Sequence, residues 1–263
     1  MTASAVSELI RQPYLTCVLL FALLLASVEI GRIFARKRRG GVDSETPGTG
    51  AINGAVFALL GLILAFTFSG ANTRFEGRRD LIVAESNAIG TAYLRIDLVQ
   101  PDAQPALRAA FKRYVASRVF AYSQITDTDK FRAALVKSGA IQKEIWGLAV
   151  AAGRRPDALP AVNISLLPAL NEMIDISATR TFATLMHPPT AIYVMLIGLA
   201  AISGFLAGIG LAAGARQSWV HPVSFALIMT AAIYITIDLE FPRGGFIRVD
   251  SFEKAVVDFS RES

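Results

Sequence analysis

The sequence predicts an all-α membrane protein: four transmembrane helices, with a helical soluble insert between the second and third. Three observations lead there. Hydrophobic residues make up 53% of the 263 residues, and the mean hydropathy is +0.48, above the range of an ordinary soluble domain. Four uncharged or nearly uncharged stretches, 14–34, 51–71, 190–213 and 220–237, are each long enough to cross a hydrocarbon core of ~30 Å as a helix. Between the second and third, apolar residues recur at helical spacing and no segment alternates as a strand does. The chain therefore divides into 1–71 (two spans and a basic connecting loop), 72–188 (helical insert), 189–240 (two further spans) and 241–263 (a C-terminal tail).

The first span, 14–34, has a long apolar core, a single arginine (Arg11) ahead of it and a basic cluster, Arg36 to Arg39, behind it. That pattern fits a retained span rather than a cleaved signal. Glu29 lies near its end with Arg32 one turn on. An acid within a span invites a functional reading, and its nearness to the basic border also fits an interfacial pair with Arg32. Residues 40–49, GGVDSETPGT, read as a loop.

The second span carries the most distinctive pattern. Gly54, Ala58, Gly61 and Ala65 recur at helical spacing, with Gly50 and Ser69 at either end. Such a small-residue row lets another helix approach closely. On another face Leu60, Leu64 and Phe68 sit one turn apart. No breaker follows Ser69, so the helix is expected to continue into the insert as a stem, 72–99. There Phe75, Ile82, Ile89 and Ile96 repeat every seven residues, while Arg78, Glu85, Ala92 and Val99 form the companion row. Charges in such a seam set register between helices or else face water.

Pro101 and Pro105 end the stem. Helices are predicted over 105–122, over 130–152 with Thr126 or Asp127 as cap, and over 162–186 with a bend at Pro168. The third span opens after Pro188-Pro189 and is rich in glycine, with Gly204 and Gly208 at GxxxG spacing. Trp219 is an expected interfacial anchor. The fourth span ends in IDLEFPRGGFIRVD, where Asp238 or Glu240 is expected to pair with Arg243 across the turn at Pro242. A short amphipathic helix is predicted over 251–260.

The chain carries a net charge of +5, but its Lys and Arg are dispersed and often flank spans. Lipid headgroups, not nucleic acid, are the partner this implies. A single cysteine, Cys17, and two histidines, His187 and His221, build no metal site. With no Gly-rich phosphate loop and no metal spacing, the sequence gives no support to an enzyme or to a cofactor.

The phrases GAVFALLGLILAFTFSGA, EGRRDLIVAESNAIGTAYLR, LPALNEMIDISATR and IDLEFPRGGFIRV, in this order around a helical insert, resemble the bestrophin-like family of bacterial multi-pass membrane proteins. That family is distantly similar to the bestrophins, pentameric anion channels with an aromatic-lined neck on the second span. The resemblance implies a homo-oligomer, a pentamer if the likeness is close, that conducts small inorganic ions through a pore lined by the second span. It also implies residence in the bacterial inner membrane with insert and termini in the cytoplasm. The chain lacks the run of consecutive phenylalanines of the bestrophin neck and the acidic calcium clasp of the animal channels. A membrane-anchored helical scaffold or signalling protein is the alternative. A small-solute transporter stands third, because it calls for interrupted spans and a midplane charge.

Overall fold

The computed structural model describes residues 13–38, 49–212 and 218–241. All regular elements among them are helices: α1 (Pro13–Arg38), α2 (Thr49–Leu94), a 3₁₀ turn (Arg95–Leu98), α3 (Gln104–Ser123), α4 (Thr128–Gly153), a π turn (Val162–Leu166), α5 (Leu167–Leu185), α6 (Thr190–Leu211) and α7 (Val220–Glu240). Four helical stretches are long and apolar enough to cross a membrane, beginning at Tyr14, Gly50, Val162 and Val220. They fit a multi-pass membrane protein. The predicted tail helix and the Pro242 turn lie outside the described residues.

The chain forms two compact units. Within the described residues, one takes the segments up to Phe75 and from His187 onward, and the other takes Glu76–Met186. In the first unit α1 packs along α6 and also meets α7. Glycine makes the α1–α6 approach possible. A Cβ on Gly208 would lie 2.0 Å from the Val28 carbonyl oxygen, and one on Gly31 would lie 2.1 Å from that of Phe205. At Gly204 a Cβ would meet the Phe225 ring at 3.3 Å and the Ser27 side chain at 3.4 Å. Backbone thus rests on backbone, the arrangement that small residues permit in lipid, where close packing rather than water exclusion drives helix association. Leu20, Leu24, Leu60, Leu196, Ala200, Ala226, Ile233 and Ile237 fill the core of this unit.

In the second unit α3 and α4 form a packed pair, and a larger core gathers residues from α2, α3, α4 and α5. The seam residues Ile82 and Ile96 are buried, as are Ala92 and Val99 of the companion row. Asp127 caps α4 by accepting from the Lys130 backbone N–H at 3.1 Å. A π turn stands just ahead of Pro168, where the sequence predicts a bend. A proline offers no N–H and crowds the carbonyl four residues back, here Ile164, so the helix widens ahead of it. Arg95 donates to the Ser165 carbonyl in that turn at 2.8 Å.

Candidate functional site

The transmembrane half of α2 is almost entirely exposed in the single chain. Its small-residue row lies open: Gly54, Ala58, Gly61 and Ala65 are all exposed. A Cβ added at Gly54 or Gly61 would meet nothing within 4 Å. The larger residues of the second face divide. Leu60 is 3% exposed and belongs to the core of its own unit, Leu64 is half-buried at the edge of that core, and Phe68 is 44% exposed. Phe57 anchors the helix to α7 through an edge-on contact with Phe225 at 6.3 Å. Leu60 is thereby a packing residue of the protomer, with Leu64 partly so, and Phe68 is the member of the row that stands clear. The other small-residue pair behaves differently from the row on α2: Gly204 and Gly208 are already filled from within, by α1 and α7. Gly31, their counterpart on α1, is not singled out by the sequence reading, although Ser27, Gly31 and Ala35 repeat at four-residue spacing and carry the same signal.

Charges gather at two ends of this unit. At the end of α1, Arg32 is buried and donates to Glu29 at 2.6 Å and to the Ser218 carbonyl at 3.0 Å. Its guanidinium also lies 5.8 Å from the centre of the Trp219 ring. Glu29 therefore sits in an ion pair that joins α1 to the start of α7.

At the end of α7, the fully buried Glu240 accepts from Arg74 Nε at 2.7 Å. Its other oxygen lies 3.1 Å from His187 Nδ1. The imidazole stacks on Phe241 with ring centres 4.4 Å apart. The anticipated partner, Arg243, lies outside the described residues. Neither Arg74 nor His187 is adjacent to Glu240 in sequence, so no spacing signal marks them. Asp238 is buried as well and, with Thr16, Tyr234, Ile237 and Phe241, lines a cavity of about 10 Å³.

In the second unit both charges of the stem seam are buried. Arg78 donates from Nε to the Ala183 carbonyl and from Nη2 to that of Met186, both at 3.1 Å, and so caps the C-terminal end of α5. The last carbonyls of a helix have no partner of their own, and a guanidinium supplies one along with a favourable charge. Glu85 accepts from Arg118 Nε at 2.7 Å and from Arg180 Nη1 at 2.6 Å. Tyr122 lies beneath both guanidiniums, at 5.0 Å and 3.7 Å. Gln142 extends the network by donating to Tyr114 Oη at 3.0 Å and to Ser177 Oγ at 2.8 Å. Burial by itself would lower the pKa of Arg118. The adjacent Glu85 carboxylate, together with Tyr122 and Tyr114, outweighs it, and the net shift is upward. Burial pushes the Tyr114 phenol up. Both polar groups are thus held in their ordinary protonation states at neutral pH.

Among the described residues no group of three or more His, Cys, Asp or Glu side chains is placed to hold a metal ion. No curated protein and no solved structure matches the chain. The model of the bestrophin-like domain matches residues 18–251. That interval takes in most of the first apolar helix, the other three and the whole helical insert between them, and the chain belongs to the bestrophin-like family.

Proposed function

We propose that the protein is a homo-oligomeric ion channel of the bacterial inner membrane, with the second span of each subunit lining a shared pore. The observation that carries this reading is the exposure of α2. A span that buries so little of itself against its own chain, while offering a continuous row of small residues, has a face suited to another copy. Family membership supports the same reading. The insert and both termini are assigned to the cytoplasm by that resemblance. Asp238 and Glu240 then stand near one membrane border, both buried, with Glu240 held by Arg74 and His187.

The neck of this pore is assigned to Phe68 with Leu64, since Leu60 serves packing. Apolar constrictions gate by dewetting, so the resting channel is closed. The test is assembly and flux together. Wild-type protein in detergent should migrate as a multimer on a native gel and pass small ions when reconstituted in liposomes. Gly61→Leu should reduce the multimer to smaller species without loss of expression. A wild-type monomer with no flux would overturn the channel in favour of a membrane-anchored scaffold.

A further inference from the structure

Glu85, Arg118 and Arg180 belong to three different helices, α2, α3 and α5, and all three side chains are buried. One carboxylate is shared between two guanidiniums, each oxygen taking its own donor at 2.7 and 2.6 Å. Arg118 has further partners besides that carboxylate, and Arg180 rests on the Tyr122 ring. Arg118 Nη2 donates to the Ser177 carbonyl at 3.2 Å and to Tyr122 Oη at 3.1 Å, and the Tyr122 ring lies beneath both cations. Two planar cations fixed in this way match a carboxylate, one donor to each oxygen, and lose little freedom on bonding.

We infer that Arg118 and Arg180 form a preorganised oxyanion site in the helical unit, that its ligand class is a small carboxylate, and that the chain's own Glu85 occupies it. The occupied site keys the stem part of α2 to α3 and α5. In this arrangement Glu85 is a positioning residue. It selects one register of α2 among its neighbours, since sliding the helix by a residue or a turn withdraws the carboxylate and leaves buried cations without it. Apolar seam residues alone discriminate less, because Phe75, Ile82 and Ile89 repeat along α2 and present a similar apolar face every two turns.

The site predicts chemical complementation. Glu85→Ala deletes the side chain beyond Cβ, and the deleted atoms are those of acetate. Full-length Glu85→Ala protein in detergent should unfold with a midpoint roughly 6–15 °C below wild type, the consequence of unpairing a buried charge. Sodium acetate should restore much of that loss. Acetamide, equal in shape and uncharged, and sodium chloride at the same ionic strength should not. In Glu85→Ala/Arg118→Met/Arg180→Met the acetate effect should vanish. Acetate that does no better than acetamide or chloride, or a Glu85→Ala midpoint equal to wild type, would overturn the inference. If Glu85→Ala yields no folded protein, Glu85→Gln decides: it keeps the shape and removes the charge. A clearly lowered midpoint then supports the site, and a midpoint equal to wild type refutes it.

Discussion

Single residues of this protein act through what they exclude or satisfy. Gly208 is the strictest case, since any side chain there must displace the Val28 carbonyl. Gly208→Val should lower stability by about 2 kcal/mol or more by forcing α1 and α6 apart, read as an earlier thermal midpoint in detergent. Gly210 faces open space, and Gly210→Ala should hold the midpoint or raise it slightly, since alanine is the better helix former. A comparable loss from both would show that the close approach does not set the cost. Asp127 acts by satisfaction. The Lys130 backbone N–H holds its carboxyl below the ordinary value of 3.8. A depressed folded-state pKa contributes stability above the unfolded value and loses it as the pH falls through the folded one. Protection of the amides at the start of α4, taken relative to their intrinsic exchange rates, should therefore fall in acid, and Asp127→Ala should show the lowered protection already at neutral pH.

Among the elements, α2 combines two environments in one helix. Its 46 residues change from an apolar, exposed stretch to a seam that buries Ile82, Glu85 and Ala92. If Phe68 and Leu64 close the pore, Leu64→Ala with Phe68→Ala should make reconstituted channels leak at rest, measured as ion efflux from liposomes. A double variant that assembles normally yet conducts no more than wild type would remove the neck from this helix. Much of α2 was legible in the sequence, because the seven-residue repeat and the unbroken run past Ser69 are local signals. The roles of its faces were less so. Periodicity shows that Leu60, Leu64 and Phe68 share a side, but not that the core of the unit covers the first and leaves the last exposed. Likewise, the seam marks Arg78 and Glu85 as out of pattern. Their partners come from α3 and α5, far along the chain, and no sequence spacing encodes such a meeting. The π turn shows the intermediate case: Pro168 announces a disturbance, and the surrounding contacts decide its form.

For the molecule as a whole, the division into four spans and an insert was readable from composition and length, since the bilayer sets both. Sidedness rests on the family resemblance, and thiol labelling tests it directly. In a Cys17→Ser background, Thr128→Cys should resist an impermeant thiol reagent in intact cells and Ser44→Cys should react. The reverse pattern would place the insert outside. The meeting of Gly31 with Gly208 has a further consequence, for biosynthesis. The two glycines are separated by roughly 180 residues, which at ordinary elongation rates take on the order of 10–35 s to make. Throughout that interval α1 has left the ribosome while the α6 surface that fits it does not yet exist. The nascent chain must keep the Ser27, Gly31 and Ala35 face of α1 against lipid, or against the insertion machinery, until α6 arrives. Synthesis, not only the finished packing, therefore determines whether this helix pair forms.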